Sequence, residues 1–294
     1  IMRVHLIDGT YELFRQFFGQ PERAADDGTE IGATYGVVTS VLSMLSNGST
    51  HVGVATDHVI ESFRNDMWAG YKDGSEIPEL LKAQFEPLED ALDALGVLVW
   101  PMVEVEADDA LASGAAVAAA DPDVEQVVIC TPDKDLAQCV VGTRVVQLDR
   151  RKDVVTDEDG VREKYGVLPE SIPDWLALVG DSADGFPGLA GWGKRSAALA
   201  LDHYLHLDAI PDDVNDWDPD VRKAVRGAPK LAATLAAERE NAELFLSLAT
   251  LRIDRTLLPN VAALAWHGPT PAFEEVCRHM RAPQLAERAE ALVS

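Results

Sequence analysis

The sequence predicts an α/β protein: a parallel sheet over residues 1–160, followed by a helical region over residues 161–294. Three observations carry this. Short apolar runs alternate with amphipathic stretches through the first part of the chain. Acidic residues stand just after several of those runs, where open parallel sheets place their ligand crevice. Beyond about residue 160 the strand signal fades and helical segments dominate.

In chain order, strands are expected at Val4–Ile7, Val52–Thr56, Val97–Trp100, Val127–Cys130 and Val145–Leu148. Helices are expected among them at Gly32–Leu45, Pro78–Leu95 and Asp108–Ala119. Arg150-Arg151-Lys152 reads as a hairpin tip. No linker rich in Gly or Ser sharpens the boundary near residue 160, and neither an internal repeat nor a low-complexity tract is present.

Composition narrows the classes. With 294 residues and 47% apolar side chains the chain can build a substantial core. No apolar run approaches the roughly 18–20 residues of a membrane span, and no charged leader precedes the first strand, so a cytoplasmic protein is expected. Ile1 ahead of Met2 reads as a remnant. Cys130, Cys139 and Cys277 are isolated, which argues against a disulfide framework or structural zinc. The net charge of −25 opposes nucleic-acid binding at first sight. Contact with DNA needs only a local positive field, however, because charge is screened over about 8 Å at physiological salt. Asp212, Asp213, Asp216, Asp218 and Asp220 read as solvated surface.

Four segments hold the chemistry: Leu6-Ile7-Asp8-Gly9, Glu106-Ala107-Asp108-Asp109, Thr131-Pro132-Asp133-Lys134-Asp135-Leu136 and Gly180-Asp181-Ser182-Ala183-Asp184-Gly185. With Asp57 they supply nine carboxylates. Any one segment alone reads as helix-start or turn acids. Together, so many like charges are tolerable only with cations among them, and oxygen donors suit Mg²⁺ or Mn²⁺. A second signal is Gly188-Leu189-Ala190-Gly191-Trp192-Gly193-Lys194-Arg195-Ser196-Ala197. Its glycines permit close backbone approach, and the helix that follows offers free N–H groups to a phosphate.

On these segments the chain resembles the 5′-nuclease family that includes flap endonucleases and the 5′-nuclease domain of bacterial DNA polymerase I. The match runs from Asp8 to about Leu257 and leaves no room for a polymerase, which implies a stand-alone member. The resemblance implies a PIN-like nuclease core with a helical arch and gateway near residues 60–90, then a helix–two-turn–helix DNA-binding annex near residues 180–205. It implies structure-selective 5′-3′ exonuclease and 5′-flap endonuclease activity on DNA by two-metal catalysis, in replication and repair. Metal ligands would be Asp8, Asp57, Glu106, Asp108 and Asp133 at one ion, and Asp135, Asp181 and Asp184 at a second, with Asp109 beside them. DNA contacts would come from Arg64, Tyr71 and Lys72 at the gateway, with Lys72 on the scissile phosphate. Gly191, Gly193, Lys194, Arg195 and Ser196 would hold the duplex, with K⁺ at that turn. Nothing in the sequence indicates an oligomer.

Two positions depart from the family pattern: Ser75 stands where an Arg is usual, and Gly185 where an Asn is common. Arg222, Lys223, Arg226 and Lys230 form a second basic patch, equally readable as a DNA contact or a solvated face. Three rival readings stand beside this one. A haloacid-dehalogenase-type phosphohydrolase would need an Asp at Thr10. A toxin-like PIN ribonuclease would be shorter and lack the Gly191–Ser196 annex. A DNA-binding scaffold with a decayed nuclease would have lost some of the acids, and all nine are present.

Overall fold

Residues 2–293 are described by a computed structural model. Its sheet has six strands: β1 (Met2–Asp8), β2 (His51–Asp57), β3 (Leu98–Met102), β4 (Val124–Cys130), β5 (Val145–Asp149) and β6 (Val154–Thr156). Their order is β3-β2-β1-β4-β5-β6, so the winding reverses at β1 and opens a crevice between the carboxyl ends of β1 and β4. The first five strands pair in parallel, while β6 returns antiparallel on β5 with Arg150-Arg151-Lys152 at the tip.

Alternation along the strands fills both faces. Ile7, Val52 and Val54 point to one core, with α1 (Gly9–Gly19), α2 (Gly32–Ser46) and α5 (Phe85–Ala94). Val4, Leu6 and Ala55 point to the other, under α6 (Ala107–Ala120). Two short helices, α3 (Phe63–Met67) and α4 (Glu79–Lys82), lie between β2 and α5. The first of the helices, α1, was not among those expected. The single helix expected over Pro78–Leu95 is broken at Ala83–Gln84. Pro87 has no N–H to give the Ala83 carbonyl, and Gln84 is drawn inward, its Oε1 accepting from Thr34 N at 3.0 Å.

The later helices are α7 (Glu158–Tyr165), α8 (Ile172–Val179), α9 (Lys194–Tyr204), α10 (Pro219–Ala224), α11 (Ala228–Ala237), α12 (Arg239–Ala249), α13 (Phe273–His279) and α14 (Pro283–Glu290). They do not form one unit in space. Buried Trp175, Trp192, Trp217 and Phe245 build a separate core among α8–α12. Leu251, Leu258 and Leu264 instead pack under α6, and Phe273, Cys277 and Leu285 join the core of α2 and α5. The chain thus leaves the sheet, builds an annex and returns.

Candidate active site

The chain turns from β1 straight into α1, and Asp8 caps that helix. Its Oδ1 accepts from Tyr11 N at 2.8 Å and its Oδ2 from the Thr131 hydroxyl at 2.9 Å. One strand over, Asp57 Oδ1 accepts from Ala107 N at 2.8 Å, at the start of α6. Asp108 stands in the first turn of that helix, with Glu106 at its cap. Beyond β4, Asp133 Oδ1 accepts from Asp135 N at 3.0 Å, and the Gln147 side chain holds the Asp133 carbonyl at 2.6 Å. Across the crevice Asp8 feels the charges of Asp57 and Asp133, and Asp108 those of Asp133, Asp8 and Asp135.

Asp181 and Asp184 reach the same crevice on the loop after α8. That loop is closed at its neck, where Gly188 has φ of +67° and a Cβ would lie 2.3 Å from Gly180 N. Gly185 (φ +85°) is likewise required, because a Cβ there would lie 2.0 Å from the Gly70 carbonyl oxygen. An Asn at this position would not fit against residue 70. Carboxylate oxygens of Asp135, Asp181 and Asp184, all three buried, lie within 4.8 Å of one another. Asp135 Oδ1 is buried without a hydrogen bond, and Asp181 Oδ2 has only an ion pair with Lys134 Nζ, at 2.5 Å. Three buried carboxylates converging on one point, with no His or Cys among them, fit hard divalent cations.

Two lysines border the cluster. Lys72 Nζ bridges Glu106 at 2.8 Å and Asp184 at 2.9 Å, and its backbone N–H donates to the Asp184 carbonyl at 3.1 Å. Lys134 bridges Asp181 and, at 3.9 Å, Asp135. Lys134 escaped the sequence reading, although it sits between two of the acids that reading selected.

Four expectations are corrected. Arg64 is 1% exposed and does not face DNA. Its guanidinium grips Asp109 with two bonds of 2.8 and 2.9 Å, reaches Glu106 at 2.9 Å, and donates to the carbonyls of Leu248 and Thr250. Asp109 is therefore no free metal ligand: Glu106 N and Arg252 N also donate to it, at 2.9 and 2.8 Å. Tyr71 is 5% exposed, with its hydroxyl 3.4 Å from Glu106, so its ring is not presented to a base. Nor do residues 60–90 stand off the core as a helical arch. Trp68 donates to the Gly185 carbonyl at 3.0 Å, which lays this segment on the Asp181–Asp184 loop. Arg64→Ala would strand two buried carboxylates, so a loss of about 3–5 kcal/mol in a denaturant titration is expected.

Proton affinities follow the crowding. Burial, then the charge of Asp57, lifts Asp8 to about 7 against the bonds from Tyr11 and Thr131. Burial also raises Asp57, and burial with neighbouring carboxylates raises Asp108 and Asp135 well above the usual range. Glu106 goes the other way, since Lys72 and Arg64 outweigh its burial. A carboxyl raised from its ordinary value of 3.8 to about 7 contributes stability present below pH 4 or so and lost as pH rises through 7. A divalent ion bound among these carboxylates would replace those protons. The rise in melting temperature on adding Mg²⁺ in place of chelator should therefore be larger at about pH 8 than at about pH 6. Equal shifts at both values would count against the raised carboxyls.

Away from the crevice, the glycine-rich turn leads into α9. Gly191, Gly193, Lys194 and Arg195 are exposed, and Ser196 Oγ accepts from Gly193 N at 3.0 Å. The second basic patch meets it. α10 ends before Val225, and Arg226 in the next turn lines a groove of about 590 Å³ together with Gly191, Gly193, Lys194, Arg195 and Ser196. Arg222, Lys223 and Lys230 are exposed nearby in sequence. A chain of net charge −25 thus concentrates cations on one groove.

A carboxylate crevice at the strand ends of a parallel sheet, with a basic helical annex, defines an α/β protein with an acidic, metal-suited site. Residues 3–166 match the family model described as 5′-3′ exonuclease, N-terminal resolvase-like domain, and residues 167–272 match 5′-3′ exonuclease, C-terminal SAM fold. The chain belongs to the 5′-3′ exonuclease family. It is 36% identical over 260 residues to DNA polymerase I of Pseudomonas aeruginosa, covering 85% of this chain but 27% of that protein. It is 30% identical over 251 residues to the 5′-3′ exonuclease of Buchnera aphidicola subsp. Baizongia pistaciae, covering 85% of this chain and 81% of that one. In structure it is similar to the bacteriophage T5 flap endonuclease in a pseudo-enzyme-product complex with DNA and metal ions (TM-score 0.66, 19% identity, 98% of this chain and 99% of that one). The catalytic core of Rad2 in complex with DNA substrate is also similar (TM-score 0.64, 14% identity, 99% and 92%). Among the described residues no helix is long and apolar enough to cross a membrane.

Proposed function

We propose that this protein is a structure-selective 5′-3′ exonuclease and 5′-flap endonuclease that hydrolyses DNA phosphodiesters with two or more divalent ions. The carrying observation is the convergence of Asp135, Asp181 and Asp184, from two distant parts of the chain, on one buried point beside the Asp8 crevice. Asp8, Asp57, Glu106, Asp108 and Asp133 would hold one Mg²⁺ or Mn²⁺, and Asp135, Asp181 and Asp184 a second. Bound there, the ions would supply an acidified water and charge neutralisation at the leaving oxygen. The protein's own part is positional. Thr131, Tyr11 and Ala107 aim Asp8 and Asp57, while Arg64 fixes Glu106 through its buried fork. Lys72, partly exposed and paired with Glu106 and Asp184, would meet the scissile phosphate.

DNA with 5′ ends or flaps is the partner of this reading. The groove of Gly191, Gly193, Lys194, Arg195 and Ser196 would hold duplex backbone, with K⁺ at its glycine turn. A cytoplasmic setting suits the three free cysteines. Cleavage of a labelled 5′-flap substrate in Mg²⁺, lost in excess chelator, tests the proposal, with single-strand and ribonucleotide substrates as controls. Full turnover in chelator would sink it. For the groove, changing both Lys194 and Arg195 to Ala should weaken duplex binding and flatten its salt dependence by about two counterions. An unchanged slope would place the duplex elsewhere.

A further inference from the structure

We infer that Lys134 is a resident counter-cation of the Asp135–Asp181–Asp184 cluster, holding it together without metal and competing with a divalent ion for it. The inference rests on the metal-dependent reading above and concerns a residue to which that reading gives no part. Lys134 lies in the turn between β4 and the 3₁₀ turn Asp135–Cys139. Its ammonium is 2.5 Å from Asp181 Oδ2 and 3.9 Å from Asp135 Oδ1. Apart from this lysine, those two buried oxygens of the cluster have no partner. The other oxygen of Asp181 is occupied, accepting from Ala183 N at 3.0 Å. Lys72 serves the other side of the cluster, on Glu106 and Asp184.

An ammonium and a divalent ion cannot share Asp181 Oδ2. Like charges a few ångströms apart repel strongly in a partly desolvated crevice. One must leave, and the lysine can. Its side chain is 31% exposed, on a flexible four-carbon stem with a route to water. Two consequences follow. Without metal, Lys134 ties the turn after β4 to the Asp181–Asp184 loop. With metal, displacing it costs part of the binding energy, so this ion is held more weakly than its carboxylate donors alone would hold it.

The test measures Mn²⁺ binding to the full chain by isothermal titration, and melting in chelator and in saturating Mn²⁺. Lys134→Met keeps much of the stem and removes the charge. It should bind the weaker Mn²⁺ at least about tenfold more tightly, melt lower than wild type in chelator, and recover in Mn²⁺. Lys134→Arg, which keeps the charge, should stay within about threefold of wild-type affinity. Should the Met variant not fold, Lys134→Gln carries the same two expectations. A lysine that only braces the fold would lower melting in both conditions and leave Mn²⁺ affinity unchanged or weaker, and that result overturns the inference. So does unchanged melting in chelator. Wild-type protein that takes up no Mn²⁺ would overturn the metal reading as well, whereas two bound ions with no tightening in the variants would overturn the lysine's role alone.

Discussion

Asp181→Asn should lower the single-turnover rate on a 5′-flap substrate by on the order of a thousandfold or more, with fold and duplex binding largely kept. The side chain changes little in shape, and its Oδ1 can still accept from Ala183 N. What is lost is the negative charge of a buried carboxylate whose Oδ2 is held by Lys134 alone and which converges with Asp135 and Asp184, their oxygens within 4.8 Å of one another. An amide there presents N–H donors, which no cation can bind. Asp133→Asn should act similarly, because Asp133 bears on the charges of Asp8 and Asp108. Single-turnover cleavage, circular dichroism and a duplex titration on each variant separate chemistry from folding and binding. Near wild-type cleavage by Asp181→Asn would remove the Asp135–Asp181–Asp184 cluster from the mechanism.

Lys72→Ala is the second large effect, a fall of about two to three orders of magnitude in the single-turnover rate. Between residues 68 and 78 Lys72 is the only cation in the sequence, since Ser75 replaces the usual Arg. Ser75 is exposed, in a turn where its N–H donates to Asp73 Oδ1 at 2.9 Å, so it does not substitute for the missing charge. The lysine's present partners, Glu106 at the start of α6 and Asp184 on the loop after α8, hold its ammonium between two of the carboxylates. Flap binding should change little, because most phosphates of the substrate would lie along the annex groove. The split between rate and affinity is therefore the diagnostic. A variant that cuts at near wild-type rate would mean that residues 68–72 do not cover the scissile phosphate.

Much of this site was legible beforehand because its signals are local. Apolar runs of strand length ending in Asp8, Asp57 or Thr131-Pro132-Asp133 place acids at strand ends whatever the rest of the chain does. The glycines and cations of Gly191–Ser196 likewise announce a turn opening a helix. The four acid-bearing segments, in their order along the chain, resemble the 5′-3′ exonuclease family, and the family models match it.

Only the tertiary structure decided which charges are used and which are spent inside the protein. Arg64 and Lys72 are equally basic on paper, yet Arg64 is buried against Asp109 while Lys72 stays in the crevice. Asp108 and Asp109 are neighbours in the same helical turn, but only Asp109 faces that guanidinium. Lys134 gains its meaning from Asp181, which belongs to a loop after α8 and meets it only once the annex is folded against the sheet. The return of Phe273, Cys277 and Leu285 to the core of α2 and α5 was equally unreadable. Hydrophobic period and turn chemistry report a residue's immediate neighbours along the chain. The partner that neutralises a buried charge is chosen by packing between segments far apart in sequence, and no local pattern encodes it.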